Sequence, residues 1–349
     1  MSPSSPTSEA RRPETVLVTG GGGFLGRAIV ERLVARGDRV RSFSRGDHPQ
    51  LVRLGVTALR GDLTDLDALR RACAGCDVVY HVAARAGIWG DFEDFFDTNV
   101  RGTSHVLTAC RAAGVGRLVH TSSPSVVFAG EDLAGADESL PYPRKFKSAY
   151  SHTKALAEQE VLDNDGPDLR TLALRPHLIW GPRDNHIVPR LVARARAGRL
   201  RRVGDGRNVV DTTYIDNAAD AHLCAAEALR SNPSARGRAY FITNGEPWPL
   251  WKLIDRIIAC AGLPPVRKSI PHAAARLLGA ALEAGYAVLG ITREPPMTRF
   301  VADELARSHW FDISAARREL GYEPRVSIEE GLRRLADWFA APDAPPGRG

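Results

Sequence analysis

A tyrosine and a lysine four residues apart, Tyr150 and Lys154, form a pattern that could transfer a proton. A helix is predicted to continue over 155–162, and residues four apart on a helix share one face. A neighbouring ammonium favours phenolate and would lower the pKa of the tyrosine from about 10 towards the range of a general acid or base. The hydroxyl-bearing residues Thr121-Ser-Ser123 end a predicted strand shortly before this pair. The arrangement indicates a catalytic site.

Three glycines near the start of the chain have the spacing of a phosphate-binding turn. Gly20, Gly23 and Gly26 follow the apolar run 16–18 and precede a helical pattern at 27–36. In a strand, turn and helix of this kind, the backbone can approach a pyrophosphate, whose charge lies against the free N–H groups that open the helix. The sequence therefore predicts a dinucleotide site.

The end of the next predicted strand, 38–44, bears on the choice of dinucleotide. NAD-binding folds place a carboxylate here for the ribose hydroxyls, whereas an arginine can pair with a 2′-phosphate. Ser44 occupies the acidic position and Arg45 follows it. We therefore predict NADP(H) as the preferred cofactor, with NAD(H) as the alternative.

Further strands are predicted at 56–63, 77–84 and 117–123, with helices between them. Asp62 closes the first of these strands, where it could meet the adenine end of the cofactor or cap the next helix. This alternation predicts an α/β fold, namely a Rossmann-type doubly wound parallel sheet with a smaller mixed substrate lobe.

The length of 349 residues is sufficient for a nucleotide-binding domain and a second lobe. We expect a disordered tail at 1–13 and another tail at 339–349. The NADP-binding domain is predicted at 14–180, completed by about 208–245. The substrate lobe would comprise 181–207 and 246–338.

Charge and cysteine content limit the classes of partner. The net charge is +6 and basic residues are concentrated at 190–207, but no nucleic-acid motif accompanies them, so no nucleic-acid partner is expected. Five cysteines without a disulfide pattern predict a cytoplasmic protein. Cys73 and Cys76 form one isolated C-x-x-C pair, and no metal site is predicted.

Together these motifs resemble those of the extended short-chain dehydrogenases/reductases, the superfamily of the NAD-dependent epimerases and dehydratases. The likeness runs from about residue 15 to 338 and rests on 19–26, 61–63, 81–84, Asn99, 121–123, Tyr150 with Lys154, and 174–182. It implies that Tyr150 donates or accepts the proton, that Lys154 binds the nicotinamide ribose and tunes Tyr150, and that Ser123 bonds the substrate oxygen. The cofactor-binding residues so predicted are Gly20, Gly23, Phe24, Leu25, Gly26, Arg45, Asp62, Leu63, Ala83, Ala84, Thr121, Tyr150, Lys154, Pro176 and Ile179.

The second lobe distinguishes the branches of this family. Sugar-nucleotide enzymes grip a diphosphate with an arginine at the position of Val210, and they often have asparagine where His177 stands. Stretches 181–189, 208–211 and 244–247 instead resemble the 3β-hydroxysteroid dehydrogenase-like branch, and within it the bacterial 2-alkyl-3-oxo acid reductases of olefin synthesis.

This resemblance implies an oxidoreductase of lipid metabolism that interconverts 3-oxo and 3-hydroxy groups on an apolar, acyl-type small molecule. A sterol dehydrogenase is the alternative. A sugar-nucleotide epimerase or dehydratase and a non-catalytic dinucleotide sensor are further ones. A homodimer is expected. His186 or an arginine of 190–207 could pair with a substrate carboxylate.

The apolar run 273–291 fits a lipid substrate. It contains only two charges, Arg276 and Glu283, but these and its glycines argue against a transmembrane helix. Two interpretations stay open: a helical lid over an acyl or sterol pocket, which could also touch a membrane or a pathway enzyme, and a buried helix pair.

Overall fold

The computed structural model describes residues 12–341. Its strands are β1 (Thr15–Thr19), β2 (Arg39–Ser44), β3 (Thr57–Arg60), β4 (Val78–His81), β5 (Arg117–Thr121), β6 (Leu133–Ala136), β7 (Arg170–Pro176), β8 (Ile179–Trp180), β9 (Arg202–Val203), β10 (Val209–Val210), β11 (Thr213–Tyr214), β12 (Ala239–Ile242), β13 (Trp248–Pro249), β14 (Ser269–Ile270) and β15 (His309–Phe311).

The α-helices are α1 (Phe24–Ala35), α2 (Pro49–Val52), α3 (Leu66–Cys73), α4 (Phe92–Phe96), α5 (Gly102–Ala112), α6 (Ala149–Asp163), α7 (Ile187–Arg196), α8 (Ile215–Ser231), α9 (Leu250–Cys260), α10 (His272–Val288), α11 (Arg299–Ala306) and α12 (Ile328–Ala340). Short π-helical turns occupy Asp97–Arg101 and Ala316–Leu320, and 3₁₀ turns occupy Pro124–Val126 and Pro233–Ala235.

Seven parallel strands form the main sheet in the order β12-β7-β5-β4-β1-β2-β3. Every residue of β1 and β4 is buried, as expected of parallel strands that are covered on both faces. Helices α1 and α8 pack together, and α3 packs on α5 around a separate apolar cluster. The predicted Rossmann-type doubly wound α/β fold is confirmed.

A smaller mixed sheet has the order β13-β10-β15-β6. Strand β10 pairs antiparallel with β13 and parallel with β15, which pairs parallel with β6. The predicted ranges 14–180 and 208–245 therefore also supply β6 and β10 to this second sheet. The sheet brings His309 and Phe311 close to the carboxyl ends of the main strands.

The chain ends were predicted as tails. Residues 1–11 and 342–349 lie outside the described residues, and Arg12 and Pro13 have no regular structure. Helix α12 continues to Ala340, so the first two residues of the predicted tail at 339–349 are helical.

The apolar run at 273–291 forms one helix, α10, and not a buried pair. Side chains on its outer face are exposed, including Leu277 at 74% and Val288 at 86%. Its inner face approaches the start of α11 closely. A Cβ added at Gly279 would lie only 2.6 Å from the backbone carbon of Thr298. Within 12–341, no helix is both long and apolar enough to cross a membrane.

Candidate active site

The glycine turn between β1 and α1 is tightly packed. Gly20 has φ +70°, a left-handed conformation that favours glycine, and its N–H donates to the carbonyl of Phe43. A Cβ at Gly26 would lie 2.2 Å from the carbonyl oxygen of Gly20. The turn therefore requires glycine at both positions, and it opens the first turn of α1 towards the crevice at the sheet edge.

A cleft of about 580 Å³ lies over this turn and over the carboxyl ends of the neighbouring strands. Fourteen of the fifteen predicted cofactor residues line it; Pro176 lines the adjoining cavity instead. The lining residues among them are Gly20, Gly23, Phe24, Leu25, Gly26, Arg45, Asp62, Leu63, Ala83, Ala84, Thr121, Tyr150, Lys154 and Ile179. The glycine turn and the size of the cleft fit a dinucleotide.

Asp62 is one of two carboxylates near the end of β3, and it does not cap a helix. Its carboxylate accepts from the backbone N–H and the hydroxyl of Thr64, whereas Asp65 caps α3 by accepting from the N–H of Ala68. The hydrogen bonds from Thr64 and the nearby charge of Arg45 lower the pKa of Asp62. An ionised carboxylate therefore faces the cleft.

Tyr150 lies in the first turn of α6, which starts with a capping box made by Ser148 and Ser151. Burial raises the pKa of Tyr150, while a hydrogen bond with Ser123 lowers it. The phenol is therefore protonated at neutral pH and ready to donate. The structure brings Ser123 and Tyr150 together as predicted.

Lys154 lies one turn further along α6 and is fully buried. Its Nζ donates to the carbonyl oxygen of Thr121 at 2.6 Å and lies 3.2 Å from Nε2 of His120. Burial lowers the pKa of Lys154 to about 8. The expectation that Lys154 lowers the pKa of Tyr150 is not met here, because the ammonium is directed at strand β5 and not at the phenol.

A second cavity, of about 230 Å³, meets the cleft at Tyr150. Its walls are Ala86, Gly87, Ile88, Ser123, Pro124, Ser125, Phe128, Leu133, Tyr150, Pro176, His177, Leu178, Phe300, Glu304, His309 and Phe311. They are mostly apolar and include no lysine or arginine. We refer to this space as the substrate cavity.

Several of the residues expected to contact the substrate do not line this cavity. His186 lines the dinucleotide cleft, and no residue of 190–207 lines either space. No residue of α10 lines the substrate cavity; α11 and β15 cover it instead. The reason is the close packing of α10 against the start of α11, which leaves α11 between α10 and the cavity.

Sequence reasoning missed most of the residues that wall this cavity. Phe300, Glu304, His309 and Phe311 lie about 150 residues beyond Tyr150, and no local motif marks them. Leu178 also escaped notice, although it has a left-handed φ of +42° at the cavity wall. Such strain at a non-glycine residue is typical of functional sites.

Asn99 connects the loop that begins at Arg85 to helix α6. It lies in the π-helical turn Asp97–Arg101, is buried, and its side chain bonds both the N–H and the carbonyl of Arg85. The same amide donates to the hydroxyl of Thr153 on α6. The loop that begins at Arg85 is thereby fixed beside Tyr150.

A dinucleotide cleft and an apolar cavity that meet at one tyrosine, Tyr150, define a nicotinamide-dependent oxidoreductase of the short-chain type. Comparison with known families agrees with this class. Residues 17–271 match the 3-beta hydroxysteroid dehydrogenase/isomerase family, and the chain belongs to that family. Its members use NAD(H) or NADP(H), and the protein is a reductase or dehydrogenase that acts on a carbonyl or hydroxyl group of a small molecule. The predicted family and enzyme class are confirmed.

Relatives of known activity extend over most of the chain. The 2-alkyl-3-oxoalkanoate reductase of Shewanella oneidensis is 50% identical over 334 residues, covering 93% of this chain and 86% of the relative. The same enzyme from Stenotrophomonas maltophilia is 51% identical, covering 93% and 99%. The human sterol-4-alpha-carboxylate 3-dehydrogenase, decarboxylating, is 36% identical, covering 92% and 87%.

Solved structures share the fold over most of the chain. The structure of gox2253 has a TM-score of 0.76 at 27% identity, covering 95% of this chain and 99% of its own. The NAD complex of UDP-glucose 4-epimerase from Thermus thermophilus has a TM-score of 0.71 at 26% identity, covering 94% and 99%.

Proposed function

We propose that this protein is an NADPH-dependent 2-alkyl-3-oxoalkanoate reductase that converts the 3-oxo group to a 3-hydroxy group. The observation that carries the proposal is the apolar cavity that opens at Tyr150 and Ser123. The two bacterial relatives of about 50% identity carry the same activity in their names.

The proposed chemistry divides between cofactor and protein. The dinucleotide, when bound, supplies the hydride for C3 of the substrate. Ser123 holds the 3-oxo oxygen by a hydrogen bond, and Tyr150 donates its phenolic proton to that oxygen. Lys154, held by Thr121, provides a fixed positive charge at the ribose end of the cleft. The apolar walls exclude water from the reacting carbonyl.

The preference for NADPH is also part of the proposal. Ser44, Arg45 and His48 line the end of the cleft next to β2, and no carboxylate occupies the position of Ser44. An arginine at this place can bind a 2′-phosphate through two parallel hydrogen bonds.

A sterol dehydrogenase is the second candidate, favoured by the relation to the human sterol-4-alpha-carboxylate enzyme. Sugar-nucleotide chemistry is disfavoured by Val210, which is fully buried in the small sheet and offers no charge to a diphosphate. A non-catalytic sensor is disfavoured by the intact set of Ser123, Tyr150 and Lys154.

The test is NADPH oxidation with a homologous series of 2-alkyl-3-oxo acids, beside a 3β-hydroxysteroid with NADP⁺ and a UDP-sugar. Burial of about 0.8 kcal/mol per methylene predicts roughly fourfold tighter binding for each added carbon until the cavity is full. Catalytic efficiency that is flat with chain length, or turnover of the UDP-sugar alone, would refute the proposal. Efficient steroid oxidation without keto-acid reduction would favour the second candidate.

The expected homodimer gives a role to the outer face of α10. Leu277, Leu278 and Val288 are exposed there with few charges between them, and a membrane-binding helix normally has a strongly basic polar face. We therefore favour a second copy of this chain over a lipid surface. Sedimentation velocity of wild type and of the double variant Leu277→Lys, Val288→Lys tests the dimer, and flotation with vesicles tests lipid binding.

The five free cysteines support the proposed cytoplasmic setting.

A further inference from the structure

Two histidines lie ring to ring in the wall of the substrate cavity. Nε2 of His177 and Nδ1 of His309 are 3.0 Å apart, and both side chains are buried. The two rings come from distant parts of the chain, the end of β7 and strand β15. The rings meet edge-on, with centroids 4.9 Å apart and an interplanar angle of 74°.

The outer nitrogen of each ring already has a hydrogen-bond acceptor. Nδ1 of His177 lies 2.7 Å from Oδ1 of Asp211, whose other oxygen accepts from the N–H of Phe311. Nε2 of His309 lies 2.9 Å from the carbonyl oxygen of Glu304. A carboxylate and a carbonyl can only accept, so each outer nitrogen carries a hydrogen.

A neutral imidazole has one N–H, so the two inner nitrogens both present lone pairs to each other. At 3.0 Å the two nitrogens must share a cation, which is either a proton, with His177 as an imidazolium beside Asp211, or a metal ion. Two nitrogen ligands of a tetrahedral zinc ion, each at about 2.0–2.1 Å, would be about 3.3 Å apart. A separation of a few tenths of an ångström, together with a rotation of both rings, would direct the two nitrogens at one metal ion.

The second carboxylate of this region belongs to Glu304, at the cavity wall. One ligand atom from each of His177, Glu304 and His309 lies within 4.8 Å of the others. Two imidazoles and one carboxylate form a common donor set for zinc and other divalent first-row metals. Metal-bound histidines usually donate their other N–H to a carboxylate or a carbonyl, as both rings do here.

A cation at this place would balance the negative charge of the nearby carboxylates. The cavity wall contains Glu304, with Asp211 behind His177, and no lysine or arginine. A 3-oxo acid is itself an anion, and its carboxylate can bind a metal ion while the keto oxygen contacts Ser123 and Tyr150. We propose that His177, His309 and Glu304 form a divalent metal site that binds the anionic end of the substrate. The substrate part of this inference rests on the proposed reductase function.

Metal binding is tested on full-length protein without a histidine tag, freed of metal by a chelator. Cobalt(II) is titrated and its visible absorption recorded, and zinc binding is measured by calorimetry. One equivalent is expected, with affinity lowered about 100-fold or more by Glu304→Gln or His309→Gln and about 10–100-fold by Asp211→Asn. His272→Gln is the matched control, because His272 is also paired with an aspartate, Asp303, but lies outside the cavity.

Unchanged binding in Glu304→Gln and His309→Gln, or no saturable binding by wild type, would overturn the metal site. Circular dichroism and the melting temperature show whether each variant is folded. If His309→Gln does not fold, Glu304→Gln still tests the site, because the Glu304 side chain is partly exposed. Keto-acid reduction that is equally fast in chelated and loaded enzyme would refute the substrate role and leave the reductase function standing. Metal binding without keto-acid reduction by either form would refute the function alone.

Discussion

Lys154 donates a hydrogen bond from Nζ to the carbonyl oxygen of Thr121 at 2.6 Å, which joins helix α6 to the end of strand β5. The bond fixes the ammonium at the bottom of the dinucleotide cleft and separates it from the phenol of Tyr150. Two groups of the site therefore titrate independently. Burial lowers the pKa of Lys154 to about 8 and raises that of Tyr150.

This separation predicts the pH dependence of reduction. The cationic form of Lys154 is lost as the pH rises through about 8, whereas Tyr150 keeps its proton to higher pH. Hence kcat/KM for the 3-oxo acid should be level below pH 8 and fall above it. The profile is measured at saturating NADPH. A plateau that extends to pH 10 would show that the charge of Lys154 is not needed.

Replacement of Tyr150 by phenylalanine removes the proton donor and little else. We expect kcat to fall by about 10²-fold or more, the usual contribution of a positioned acid, with the dissociation constant for NADPH unchanged. Tyr286→Phe is the control. Tyr286 lies on α10, packs against Trp89, and lines neither the dinucleotide cleft nor the substrate cavity. Wild-type kcat in the Tyr150 variant would contradict the catalytic assignment.

Arg45 should determine the choice of dinucleotide. Arg45→Ala is expected to weaken NADPH binding by one to two decades, or roughly 1.5–3 kcal/mol, without changing the affinity for NADH. Arg60→Ala is the control, because Arg60 is an exposed arginine on the neighbouring strand β3 that does not line the cleft. Fluorescence titration of wild type and both variants with NADPH and NADH gives six dissociation constants. Equal loss for NADPH and NADH, or tighter NADH in wild type, would contradict the prediction.

Replacement of two helical glycines by alanine should change the stability of the protein in opposite directions. Gly26→Ala places a methyl group 2.2 Å from the carbonyl of Gly20, so we expect lower stability and at least tenfold weaker NADPH binding. At Gly285 nothing lies within 4 Å of the added Cβ, so Gly285→Ala should stabilise α10 by about 0.5–1 kcal/mol. Thermal melting with and without NADPH measures both effects. Normal cofactor affinity in the Gly26 variant would show that the turn does not set the cleft.

The sequence was sufficient for those parts of the molecule that local rules determine. The glycine spacing, the buried strands and the Tyr150–Lys154 pair each follow from short-range physics, and the main sheet and the dinucleotide cleft were predicted from them. Helix α1 begins three residues before the predicted helix, at Phe24, because the turn already ends at Gly23.

The substrate cavity could not be predicted in the same way. His309 reaches it only through the pairing of β15 with β6 and β10, which are separated from it by about 100 residues or more. The apolar composition of α10 pointed to the cavity, yet the close approach at Gly279 turns that helix's larger side chains outward. Long-range packing decided which apolar segment met Tyr150, and no periodicity in the sequence encodes that choice.

The fate of the transferred hydride distinguishes the proposed 3-oxo acid reduction from steroid oxidation. The enzyme is supplied with NADPH deuterated at the transferable position of C4 and with a 2-alkyl-3-oxo acid, and the product is analysed by mass spectrometry and NMR. We predict a 2-alkyl-3-hydroxy acid with one deuterium on C3, formed about 10²-fold more slowly by Tyr150→Phe. Absence of deuterium from C3, or no 3-hydroxy acid while a 3β-hydroxysteroid is oxidised with NADP⁺, would contradict it.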